Sequence, residues 1–162
     1  MKFDNDLFIR ALEIATPFVK HWEEFRAAPY LCPTGHWTIG YGSTFYQDGS
    51  LVGPHDPPIS EITASEMLRL TLGNTCNLLE PFVTRLPTAH ELAAMLSLAY
   101  NIGVYGYDHS TVLKDFDLGE VDKAADAFLM WDKGRDKHGN LIEIDGLKNR
   151  REAERLLFLT PD

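Results

Sequence analysis

Glu23 is followed nine residues later by Cys32 and six residues after that by Thr38, within the stretch WEEFRAAPYLCPTGHWTIGYGST from Trp22 to Thr44. A carboxyl, a thiol and a hydroxyl converge if the chain passes there from a helix end into a hairpin. A carboxyl in the last turn of a helix meets the negative end of the macrodipole, which disfavours its ionised form. Burial against Trp22, Phe25 and Tyr30 would add desolvation in the same direction. Glycoside cleavage needs such an acid, because the leaving oxygen must be protonated while positive charge builds on the sugar ring. Taken singly, each group has a plainer reading: a solvated glutamate, a packed cysteine beside Pro33, a strand-forming threonine.

The elements that must position these groups follow from periodicity. Leu7, Phe8, Ala11, Leu12 and Ala15 predict a helix over residues 5–15, and Thr16-Pro17 reads as a cap restarting a helix through about Glu24. Phe18, Val19, Trp22 and Phe25 would form the buried stripe of that second helix. Pro29 and the CPTG turn (Cys32 to Gly35) then lead into β-prone residues from Trp37, so residues 29–53 predict a small antiparallel sheet. Pro54, Pro57 and Pro58 stiffen a connector. Ser60 caps a long helix over about 61–81, and Thr88 with Glu91 forms a capping box opening LAAMLSLAYN, apolar on nearly every side and therefore central. Further helices are expected at about 110–116, 120–131 and 146–158, with a short hairpin around His138-Gly139-Asn140. The fold class is α+β: a sheet-bearing lobe (about 20–60), a connecting helix (about 61–81), and a helical lobe made of 82–162 and the N-terminal helix, all within one domain.

Composition narrows the function. The 162 residues carry a net charge of −9, which argues against a nucleic-acid partner, since such proteins show a basic patch or stripe. A chain this long buries about 70 % of its unfolded surface and needs neither disulfide nor metal to hold a core. Cys32 and Cys76 are too few for a secreted disulfide framework. His21, His36, His55, His90, His109 and His138 show no zinc-ligand spacing with either cysteine, so no metal and no cofactor is expected. No apolar run reaches the roughly 18 residues of a membrane span, and the acids near the start do not suit an export signal. Cys76 reads as a core thiol. Lys148, Arg150, Arg151 and Arg155 read as a solvated or ion-paired face. Tyr105 and Tyr107 fall in an expected loop, where their rings could line a sugar-binding cleft. Asn101 and Gly103 are expected to close the central helix.

Glu23, Arg26, Tyr30, Cys32, Gly35 and the run Thr38-Ile39-Gly40-Tyr41-Gly42 together resemble the active-site signature of phage-type lysozymes, the endolysins. The similarity continues through Leu92 to Gly103, Ser110-Thr111, Trp131 and Gly146 to Glu154, in order over nearly the whole chain. It implies a two-lobed lysozyme-like fold with a cleft between the lobes, and hydrolysis of the β-1,4 bond between N-acetylmuramic acid and N-acetylglucosamine in peptidoglycan. It also implies Glu23 as general acid, with Cys32 as base, water positioner or nucleophile and Thr38 supporting the water. Tyr30, Tyr41 and Ser43, with Tyr105 and Tyr107, are the expected substrate contacts. A thiol, with an ordinary pKa of about 8.5, is a poorer base than aspartate and a capable nucleophile when ionised.

Three departures stand out: Glu24 replaces the family's glycine after the acid, Ser43 replaces its histidine, and the chain is acidic where many relatives are basic. By the same resemblance the protein acts in host lysis as a monomer. It would accumulate in the cytoplasm without inserting stably into membrane and reach the wall through a holin-type pore. A lytic transglycosylase, or a catalytically silent wall-binding module, is the alternative.

Overall fold

The computed structural model describes residues 3–33, 35–135 and 138–162; Met1, Lys2, Thr34, Asp136 and Lys137, the last two in the expected hairpin, lie outside the described residues. Helix α1 spans Asn5–Trp22, with the Asp4 carboxylate accepting from the Leu7 amide. It runs without interruption, correcting the expected restart at Thr16-Pro17. Pro17 and Glu13 both face solvent, so water can satisfy the Glu13 carbonyl that Pro17 cannot bond. Thr16 instead donates its hydroxyl back to the Leu12 carbonyl at 2.7 Å. The buried stripe of Ala11, Leu12, Ala15 and Val19 passes straight through.

Strands β1 (Arg26–Leu31) and β2 (Trp37–Gly40) pair antiparallel, with Tyr30 opposite Thr38 and Leu31 opposite Trp37. The pairing begins before the expected position, and its register is irregular between Arg26 and Tyr30, where Pro29 has no N–H to give. Beyond β2 only isolated bridges continue the sheet, Ile39 with Ser43 and Phe45 with Leu51. Ile39, Val52 and Met67 form a small core there, flanked by Trp37, Tyr46 and Ile59. Helix α2 (Glu61–Leu79), capped by Ser60, packs against β2. Gly40 permits that contact: its φ is +67°, and a Cβ there would sit 3.0 Å from the Ala64 methyl.

Helix α3 (Ala89–Ile102) opens with the Thr88–Glu91 capping box and is buried from Ala89 through Ala99 except at His90. Both α1 and α7 (Asp145–Phe158) pack on it, which makes it the axis of the larger core. Gly103, at φ +85°, turns the chain into a short helix, α4 (Val104–Asp108), where a loop was expected. Helices α5 (Thr111–Asp117) and α6 (Val121–Ala127) follow. The segment expected as one helix to residue 131 tightens after α6 into a 3₁₀ turn, Phe128–Trp131. Phe128 of that turn and Phe116 of α5 both pack against Phe158 of α7. Strands β3 (Lys133–Arg135) and β4 (Leu141–Glu143) make the second hairpin. Seven helices and two small antiparallel sheets among the described residues give a helix-dominated α+β fold.

Candidate active site

Glu23 is the residue that caps α1, one step later than the expected last helical turn. Its backbone is extended (φ −101°, ψ 138°), and its amide still bonds the Val19 carbonyl. The side chain therefore leaves the helix sideways. Its carboxylate meets Arg150 Nη1 of α7 at 2.5 Å and keeps about 25 % of its surface exposed. Arg150 is nearly sealed: it donates from Nε to Glu154 Oε1 at 3.1 Å and from Nη2 to the Ser97 carbonyl at 3.2 Å. The arginines expected on a solvated or ion-paired face do include ion-paired ones, but two of them, Arg150 and Arg151, are among the most deeply buried side chains. No periodicity signal exposes this, because a polar residue that faces a polar partner looks like surface.

The hairpin carries the other expected groups. Tyr30 lies half-buried with the Arg26 guanidinium 4.6 Å above its ring. Burial raises its hydroxyl above the ordinary range; Arg26 pulls it down, and Cys32, Glu23 and Glu24 push it up. The charges of Glu23 and Cys32 thus both reach one phenol, which itself sits opposite Thr38. Thr38 is buried and donates its hydroxyl to the His36 carbonyl at 3.0 Å. That same carbonyl accepts from the Cys32 amide at 2.9 Å. Glu24 points outward and pairs with Arg26 at 3.0 Å.

Tyr100 of α3 was not anticipated. Its hydroxyl donates to the Tyr41 carbonyl at 2.6 Å, tying the central helix to the end of the hairpin. Burial, then the charge of Glu23, pushes its hydroxyl pKa well above the ordinary range. Gly42, at φ +102°, has only 3.0 Å between a would-be Cβ and that hydroxyl.

Three expected substrate contacts are corrected by burial. Tyr41 turns its ring into the core and donates to Glu61 Oε1 at 2.7 Å, so it contributes its carbonyl rather than its side chain. Ser43 is buried, its hydroxyl without a partner among the described residues. Tyr107 has no exposed surface at all, because helix α4 turns it inward. Tyr105, one helical face away, is 77 % exposed and stacks on His109 at 4.3 Å. Among the described residues no group of three His, Cys, Asp or Glu side chains is placed to hold a metal ion.

A partly buried glutamate held by an arginine, and a neighbouring hairpin that carries a thiol and a hydroxyl, are the side chains that a glycoside hydrolase could use. The phage lysozyme family model matches residues 20–154. The chain is 31 % identical over 144 residues to an endolysin of Acyrthosiphon pisum secondary endosymbiont phage 1, covering 86 % of this chain and 91 % of that protein. The structure is similar to a variant of P22 lysozyme (TM-score 0.74, 32 % identity, 99 % of each chain). It is also similar to the muramidase domain of SpmX from Asticcacaulis excentricus (TM-score 0.79, 28 % identity, 91 % of this chain and 95 % of that one). The chain belongs to the phage lysozyme family. It is a glycoside hydrolase, a lysozyme that cleaves peptidoglycan.

Proposed function

We propose that the protein is an N-acetylmuramidase that hydrolyses the β-1,4 bond between N-acetylmuramic acid and N-acetylglucosamine, working as one monomeric lysozyme domain. The supporting observation is the juxtaposition of Glu23, fixed by Arg150, with the hairpin whose Tyr30 feels both Glu23 and Cys32. Glu23 gives its proton to the glycosidic oxygen as the bond from that oxygen to the anomeric carbon breaks. A water on the Cys32–Thr38 side forms the new bond. Thr38 has its own proton committed to His36, so its oxygen offers lone pairs and accepts one hydrogen of that water. A lone pair of the water then faces the sugar, its other proton passes to the Cys32 thiolate, which becomes the thiol, and the anomeric configuration inverts, with Glu23 left as the carboxylate. Tyr30 and the exposed Tyr105 supply ring faces for flanking sugars. In a phage infection this activity lyses the host; the protein accumulates in the cytoplasm and reaches the wall through a holin-type pore.

The test is turbidity loss of purified, outer-membrane-stripped walls, with mass analysis of the products. Wild type should release reducing muramic acid ends, with the α anomer formed first by proton NMR, and Glu23→Gln should fold normally and release nothing. Anhydro-sugar ends would instead identify a lytic transglycosylase. Wall binding with no release in wild type would identify a binding module.

A further inference from the structure

Glu154 is a fully buried carboxylate that the chemistry above does not use. It sits on α7 one turn after Arg150 and accepts four close contacts. Ser97 of α3 donates its hydroxyl to Oε1 at 2.6 Å, Arg151 Nη2 to Oε1 at 2.9 Å, and Arg150 Nε to Oε1 at 3.1 Å. Arg151 Nε lies 2.7 Å from Oε2, a close ion pair off the hydrogen-bond direction. Arg151 in turn reaches Asn101 Oδ1 at 3.0 Å, near the end of α3. Burial pushes the Glu154 carboxyl up from the usual range, opposed by the two arginines and Ser97.

Such a cluster is an inefficient way to join two helices. Removing charges from water is costly, and apolar residues of similar volume often serve as well or better. The geometry gives the carboxylate another task. Arg150 has three working edges: Nη1 holds Glu23, Nη2 holds the Ser97 carbonyl, and Nε holds Glu154. With Nε and Nη2 fixed, the guanidinium plane is fixed, and so is the direction in which Nη1 presents itself to the acid. A misplacement of about 1 Å at a reacting group can cost on the order of 100-fold in rate.

We propose that Glu154 is a positioning residue for catalysis, which sets the orientation of the Glu23 carboxyl through Arg150, with Ser97 holding Glu154 in turn. This inference rests on Glu23 being the acid. Glu154→Gln keeps one acceptor oxygen but sets an NH₂ group against an arginine N–H. Kinetics on a soluble glycan of alternating N-acetylglucosamine and N-acetylmuramic acid should show kcat down at least about tenfold with KM within about twofold, the signature of an interaction that matters only in the transition state. Glu154→Asp, which restores the charge, should recover part of that loss. Independently of activity, the Arg150 Nε–H resonance should be protected from exchange in wild type and lose that protection in Glu154→Gln.

Unchanged kcat in a variant whose Arg150 signal is lost overturns the proposal, as does a kcat loss that only tracks the folded fraction. Should Glu154→Gln not fold, Glu154→Asp decides: a folded variant that loses the Arg150 signal yet keeps wild-type kcat overturns it. An inactive wild type would refute the muramidase reading, while survival of the Arg150 signal in Glu154→Gln would still refute the anchoring role.

Discussion

At the scale of single residues, the site depends on contacts too tight to admit an extra atom. Tyr100 reaches across from α3 to the Tyr41 carbonyl, and Gly42 lies directly beneath its hydroxyl. A side chain at Gly42 meets two obstacles. Its φ of +102° is a conformation that costs other residues roughly 1–3 kcal/mol, and the Tyr100 oxygen would stand 3.0 Å from the new Cβ. Gly42→Ala should therefore lower Tm by several degrees and reduce wall lysis. Adding Tyr100→Phe removes the obstructing oxygen and should recover the steric part of the loss but not the backbone strain. A double-mutant cycle by thermal denaturation measures the difference. Full additivity would show that the contact carries no coupling.

At the scale of elements, the buried helix α3 is held at its start from two directions. Thr88 and Glu91 satisfy each other's amides in the capping box. The Asp162 carboxylate adds acceptors for the Ala89 and His90 amides at 2.9 and 3.2 Å, and pairs with Arg10 of α1 at 3.1 Å. A negative charge at a helix N-terminus is favoured by the macrodipole. The Ala89 amide above all, with His90 and Arg10, holds the Asp162 carboxyl down at about 2. Because this folded value lies below the unfolded value of about 3.9, the stabilisation is present above about pH 4 and is lost as the pH falls through about 2. Asp162→Ala should lower Tm by about 3 °C at pH 7, consistent with a cap contribution of about 1 kcal/mol. The two proteins should converge in denaturant midpoint near pH 2. A constant difference from pH 7 to pH 2 would show that the carboxylate charge plays no part.

At the scale of the whole molecule, a net charge of −9 faces an anionic polymer, since muramic acid and its peptides carry carboxylates. Long-range repulsion slows encounter when the Debye length is about 30 Å and is largely screened when it is about 8 Å. Initial lysis rates should accordingly rise severalfold between about 10 mM and 150 mM salt, measured by turbidity on walls; a rate falling with salt would show that a local basic face dominates the approach. The linear sequence determined what repeats along it. The 3.6-residue spacing set the helices, the Thr88–Glu91 box marked the start of α3, and Pro29 with the turn from Cys32 to Gly35 marked the first hairpin. It mistook Pro17 for a boundary, because whether a missing N–H matters depends on which side of the helix meets water. It placed Tyr107 and Tyr41 at substrate, because an aromatic ring has the same letter whether it faces a cleft or a core. Arg150 and Glu154 have the i,i+4 spacing of a helical ion pair, but nothing local joins them to Ser97 or to Glu23, far away in the chain. Their pairing exists only once α1, α3 and α7 pack together, and burial then leaves each charge no partner but the others.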